Sequence, residues 1–163
     1  MSVRDFMVRD VKFCSLDSNL AQVAEIMWNG ACGTLPVVDG SSRLLSMITD
    51  RDVCIALGTR NLRASDVRVS DVAAIRYFAC TPDDDIHTAL KTMAAQEVRR
   101  LPVVDDERKL VGILSIDDIV LHAKTGSKIN FGSRQTLEAS LITTLQAICH
   151  RREHDKTALA TVA

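Results

Sequence analysis

The chain has 163 residues, 47% of them apolar but only 4% aromatic, and its 20 Lys and Arg nearly balance 21 Asp and Glu, for a formal net charge of -1. That length admits one domain of two lobes or two very small domains, with an aliphatic core. The cancelling charge and the lack of a long basic stretch argue against nucleic-acid binding, and no apolar run approaches the ~20 residues of a membrane span.

A short strand near Phe13-Cys14 opens the patterned region. Leu20, Val23, Ala24 and Met27 recur at i, i+3, i+4, i+7, the stripe of an amphipathic helix that Asp17 or Ser18 can cap. The apolar runs 35–38 and 44–48 flank Asp39-Gly40-Ser41-Ser42, which predicts a β-hairpin. A helix over 51–57 follows, with Gly58 placed to cap it and the polar stretch to Ser65 as a linker.

The series then recurs: a strand near 78–80, an Ile86, Ala89, Leu90, Met93 stripe after Pro82-Asp83, runs 101–104 and 110–114 around Asp105-Asp106-Glu107-Arg108, and a helix over 117–124. Gly126-Ser127 and Gly132-Ser133 punctuate the approach to Leu137, Leu141, Leu145 and Ile148, whose spacing predicts an unrepeated amphipathic helix. The stretch 151–163 shows little pattern and reads as a frayed end.

Sliding the chain over itself by 66 positions aligns its halves without a gap from Val3/Val69 to Asp52/Asp118. Identities include Asp5/Asp71, Cys14/Cys80, Met27/Met93 and the run Leu-Pro-Val-Val-Asp at 35–39 and 101–105. A duplicated unit of this size does not bury its apolar face alone. The pattern therefore predicts an α+β fold of two β-α-β-β-α repeats packed as a pseudo-twofold pair, with two equivalent clefts, plus a C-terminal helix. The boundaries fall at 1–60, 61–125 and 126–163.

Each repeat ends its last strand on a hydroxyl followed three positions later by an acid, Thr49-Asp50-Arg51-Asp52 and Ser115-Ile116-Asp117-Asp118. One reading is a capping box, in which hydroxyl and carboxylate satisfy free N–H groups at the helix start. The other adds that a helix N-terminus attracts phosphate while an Asp one turn in accepts a pair of ribose hydroxyls. Both readings stand on the residues alone.

The order strand, helix, Leu-Pro-Val-Val-Asp, strand, Thr/Ser-x-x-Asp, twice over about residues 1 to 124, resembles a tandem pair of cystathionine-β-synthase (CBS) domains, a Bateman module. The resemblance implies a regulatory, non-catalytic module that binds an adenosine-containing ligand (AMP, ADP, ATP, NAD or S-adenosylmethionine) between its repeats, with AMP foremost and no required cofactor. It implies that in one cleft Asp118 holds the ribose, Ser115, Arg99 and Arg100 face phosphate and Ile113 meets the base, with Ser15, Cys32, Gly33 and Thr34 at the adenine edge. The mirror cleft takes Asp52 for ribose, Thr49 and Arg51 for phosphate, Met47 for the base, and Thr81 and Val98 at the edge. Gly33-Thr34 stands where the second repeat has Arg99-Arg100, which weakens phosphate binding at the Asp52 cleft.

No catalytic constellation emerges from His87, His122, His150 and His154. His150 and His154, at i, i+4 beside Cys149, read as solvated, and Asp83-Asp84-Asp85 as first-turn acids rather than metal ligands. Cys14, Cys32, Cys54, Cys80 and Cys149 form no C-x-x-C pair and are expected as buried free thiols, with Cys14 and Cys80 the candidates for any redox response. The start of the chain has no apolar core of the secretory kind. The expected protein is soluble, cytoplasmic and homodimeric, with an unidentified protein target, no nucleic acid and no membrane. Its dimer would use helix faces, the stripe from Leu137 to Ile148 either joining that interface or packing on its own module. The alternative is an interaction or stress-response protein without tight nucleotide binding.

Overall fold

The computed structural model describes residues 1–73, 77–124 and 131–159, and their side chains except at 123–124, 131–133 and 150–159. Its elements are α1 (Leu20–Asn29), β1 (Thr34–Val38), β2 (Leu44–Thr49), α2 (Asp50–Arg60), α3 (Ile86–Gln96), β3 (Arg100–Val104), β4 (Leu110–Ser115), α4 (Ile116–Lys124) and α5 (Phe131–Leu159). The α+β architecture of two β-α-β-β-α repeats and a C-terminal helix is present, each repeat carrying its own two-stranded sheet.

Chemistry common to the repeats builds the hairpins. β1 and β2 pair antiparallel from Thr34/Thr49 to Val38/Leu44. In the first turn, Asp39 Oδ1 accepts from the N–H groups of Ser41 and Arg43; in the second, Asp105 Oδ1 accepts from Glu107 and Lys109. Ser42 (φ 63°) and Arg108 (φ 64°) take the left-handed conformation in these turns. The strands expected near Phe13-Cys14 and 78–80 are single parallel bridges, Cys14 to Val37 and Cys80 to Val103. Pro36 and Pro102 fit there because only their carbonyls are called on, by Cys14 N at 3.0 Å and Cys80 N at 3.1 Å.

In the first repeat, helix ends depart from the sequence reading in two places. Asn19, not Asp17 or Ser18, caps α1: its Oδ1 accepts from Gln22 N at 2.9 Å while Gln22 Oε1 accepts from Asn19 N at 3.0 Å. Ser18 Oγ instead accepts from Ser15 N. Gly58 lies inside α2, which ends on left-handed Asn61 (φ 51°), a conformation that asparagine's short polar side chain tolerates.

The chain divides into two compact units. The Asp52 unit comprises Asp10–Tyr77 and Val104–Val111, with a core of residues such as Leu20, Val23, Leu35, Val37 and Ile48. The single helical turn Val69–Asp71 enters it through Leu20 N to Val67 O (3.0 Å) and Val69 N to Ser18 O (2.9 Å). The Asp118 unit comprises Met1–Arg9, Phe78–Val103 and the chain from Gly112 onward. Its matching turn, Val3–Asp5, bonds through Val3 N to Asp84 O and Arg4 N to Pro82 O, both 2.9 Å. Ile86, Leu90, Met93, Leu101, Leu114 and Ile119 are fully buried here.

α5 runs along α3 in the Asp118 unit. Leu137, Leu141 and Ile148 are buried and Leu145 is exposed, while Thr144 Oγ1 donates to Leu90 O at 3.3 Å and Ser140 Oγ lies 3.0 Å from His87 Nδ1. The stripe thus packs within its own unit. Gly132-Ser133 falls inside α5 rather than before it, and the helix continues through 151–159, where fraying was expected. Arg, Glu, Lys, Ala and Leu in that stretch are good helix formers, so it needs no apolar stripe. Gly126-Ser127, residues 160–163 and the side chains of His150 and His154 lie outside the described residues.

Candidate functional site

The last strand residue and the first helical turn of each repeat make one knot of hydrogen bonds. In the Asp118 unit, Asp118 Oδ2 accepts from Ser115 N at 3.1 Å and Ser115 Oγ at 2.5 Å, and Ser115 Oγ accepts from Asp118 N at 3.1 Å. In the Asp52 unit, Asp52 Oδ2 accepts from Thr49 N at 2.9 Å and Thr49 Oγ1 at 2.7 Å, and Thr49 Oγ1 accepts from Asp52 N at 3.2 Å. The capping-box reading is therefore met in both repeats. It does not displace the ribose reading, because each box uses Oδ2 and Oδ1 takes no part in it.

The residues beside each knot are held by one shared bond. Ile116 N donates to Arg99 O at 3.1 Å, which sets the Arg99-Arg100 backbone beside the start of α4. Asp50 N donates to Gly33 O at 3.0 Å, which sets Gly33-Thr34 beside the start of α2. Arg99 is exposed; Arg100 is half-buried, with Nη2 3.5 Å from Asp117 Oδ2. Ile113 and Met47 sit half-buried on the adjoining strands β4 and β2, and Arg51 is exposed.

Ser15, exposed, belongs to the Asp52 unit, and half-buried Thr81 and Val98 to the Asp118 unit. Thr81 N donates to Asp84 Oδ2 at 2.8 Å and Val98 N to Met93 O at 3.0 Å. Their backbone donors are thus engaged inside their own unit.

Two features escaped the sequence reading. Asp50 lies against Gly33, so close that a Cβ there would sit 2.8 Å from Asp50 Oδ2. Both residues help line a concavity of about 460 Å3, together with Ala24, Trp28, Cys32 and Cys54. The signal available was the repeat itself, which sets Asp50 opposite Ile116 and Trp28 opposite Ala94.

The thiols are not uniformly buried. Cys14 and Cys80 are, Cys32 is half-buried, and Cys54 and Cys149 are exposed, because they fall on outward helix positions. Burial pushes the Cys14 thiol up to about 11 and the Cys80 thiol, also facing the Asp84 charge, to about 12. Asp83 pairs with Arg4 at 2.7 Å, Asp84 accepts from Thr81, and Asp85 caps α3 through His87 N at 2.9 Å. Among the described residues no group of three His, Cys, Asp or Glu could hold a metal ion, and no helix is long and apolar enough to cross a membrane.

The CBS domain family model matches residues 3–59 and 69–124. Inosine-5′-monophosphate dehydrogenase of Methanocaldococcus jannaschii is 34% identical over 121 residues, 74% of this chain but 23% of the dehydrogenase, so the chain spans about a quarter of that relative. The CBS domain-containing protein YhcV of Bacillus subtilis is 31% identical, covering 74% of this chain and 84% of YhcV. Among solved structures, Hypoxic Response Protein I with two coordinated zinc ions is 29% identical, with TM-score 0.68 over 75% of this chain and 98% of that one. Two more share the fold at lower identity. The CBS domain pair of protein MJ0100 in complex with 5′-methylthioadenosine and S-adenosyl-L-methionine gives TM-score 0.68 at 23% identity, over 75% and 98% of the two chains. CBSX2 in complex with AMP gives 0.66 at 24%, over 75% and 95%.

Proposed function

Because the chain belongs to the CBS domain family and carries two such domains in tandem, we propose that it is a regulatory module that senses an adenosine-containing ligand, AMP first among the candidates. The observation that carries this reading is the pair of Ser/Thr-x-x-Asp knots, each a helix start with a carboxylate oxygen outside the capping box. In this reading Asp118 and Asp52 hold ribose hydroxyls, Arg99 and Arg100 bind phosphate, and Ile113 and Met47 meet the base. Ser15, Gly33, Thr34, Thr81 and Val98 supply adenine-edge contacts, and Thr49, Ser115 and Arg51 complete the phosphate side. The adenosine compounds in the structures of the MJ0100 pair and CBSX2 support the ligand class.

The module would act in the cytoplasm on a protein target, as a homodimer and not as an enzyme. Support for self-association comes from the α1 and α2 surfaces, where Trp28 is 85% and Ile55 50% exposed, and not from the α5 stripe, which is spent on its own unit. A panel of AMP, ADP, ATP, NAD and S-adenosylmethionine tests the ligand reading by thermal unfolding. A ligand at about 100 times its dissociation constant adds about 2.7 kcal/mol. No shift with any of the five favours the interaction-protein alternative, to which the likeness to Hypoxic Response Protein I lends weight.

A further inference from the structure

The 66-residue offset pairs Gly33-Thr34 with Arg99-Arg100 and Asp50-Arg51 with Ile116-Asp117. Because Asp50 N bonds Gly33 O and Ile116 N bonds Arg99 O in the same way, these side chains are exchanged on matching backbones. The Asp118 unit presents Arg99 next to uncharged Ile116. In the Asp52 unit the order is reversed: Gly33 carries no side chain, and the Asp50 carboxylate fills the space over it. Arg51 N–H pins that carboxylate by donating to Asp50 Oδ1 at 2.7 Å. Gly33 has no positive φ, so its lack of a side chain serves the carboxylate and not the backbone. A carboxylate thus stands over residue 33 where the other repeat carries the Arg99 side chain, while the next helical position reverses the contrast, with Arg51 in the Asp52 unit against Asp117 in the Asp118 unit.

We infer that Asp50 makes the Asp52 half-site select adenosine compounds whose 5′ substituent is uncharged or cationic, whereas the Asp118 half-site prefers a 5′ phosphate. This rests on the adenosine reading above. Like charges a few ångströms apart repel appreciably at the dielectric of a protein surface. Asp50 is exposed, screened by solvent and followed by the Arg51 cation, so the preference amounts to at most about fivefold and shrinks as salt is raised.

The test is calorimetry on the full chain with AMP and 5′-methylthioadenosine as probes, the second having the same nucleoside and no phosphate. In the Asp118→Ala protein, methylthioadenosine should bind up to about fivefold more tightly than AMP. Adding Asp50→Asn, which keeps shape and removes charge, should close most of that gap by tightening AMP alone. Should Asp118→Ala fail to fold, Asp50→Asn in the otherwise intact chain should strengthen the weaker of two AMP binding events and leave methylthioadenosine unchanged. Equal affinities for the two probes with Asp50 present, or a gap that persists in the Asn variant, overturn the inference. Failure of both probes to bind the unaltered chain overturns the adenosine reading instead.

Discussion

Asp118 and Asp52 each do two things with two oxygens, and the division is measurable. Since Oδ2 closes the capping box, Asp118→Ala and Asp52→Ala should each cost about 1 kcal/mol of stability without ligand, read from denaturant midpoints. A cost well above 2 kcal/mol would mean that the carboxylate does more than cap. The thiols give a second residue-scale prediction. At neutral pH an aromatic disulfide reagent should label Cys54 and Cys149 quickly and Cys14 and Cys80 only on unfolding. The folded state holds Cys14 and Cys80 protonated up to about pH 11 and 12, against 9.0 for an ordinary thiol. Their contribution to stability is therefore complete below pH 9 and lost as pH rises through that window. Cys14→Ser and Cys80→Ser should flatten the alkaline limb of a stability profile. The motif carboxylates and arginines were legible in the sequence because the repeat quotes them twice. Asp50 was not, because its role depends on a close approach to Gly33 across two segments.

At the scale of elements, periodicity located the helices and hairpins well, since apolar stripes and Asp-led turns are local. Helix ends were less legible where several residues could cap: Asn19 wins over Asp17 and Ser18 because Gln22 stands three residues on to close the box. The leader turns Val3–Asp5 and Val69–Asp71 were marked only by the identities Val3/Val69 and Asp5/Asp71, and no periodicity says which segment they bond. α5 shows what a stripe does and does not reveal, as its apolar positions were plain and their partner was not. Leu137→Ala should cost about 2–5 kcal/mol, since Leu137 is fully buried, while Ile142→Ala, on the exposed side, should fall within about 0.5 kcal/mol of the parent. Equal small effects would mean that α5 is not held against α3.

At the scale of the whole molecule, the chain's single tryptophan reports on assembly. If α1 and α2 meet a second copy, Trp28 emission should shift to the blue as concentration rises, in step with a doubling of mass by light scattering. Ile55→Glu, which leaves the tryptophan in place on the same surface, should abolish both changes. A chain that stays monomeric with solvent-exposed Trp28 at every concentration contradicts the homodimer. The ligand claim is tested most directly by calorimetric titration of AMP into the parent chain and the two Asp variants, each first shown to be folded. The account predicts that Asp118→Ala weakens binding by about tenfold to a hundredfold, the loss of a charged hydrogen-bond acceptor, and more than Asp52→Ala does. AMP affinity unchanged in both variants, or lost equally in both, would contradict it.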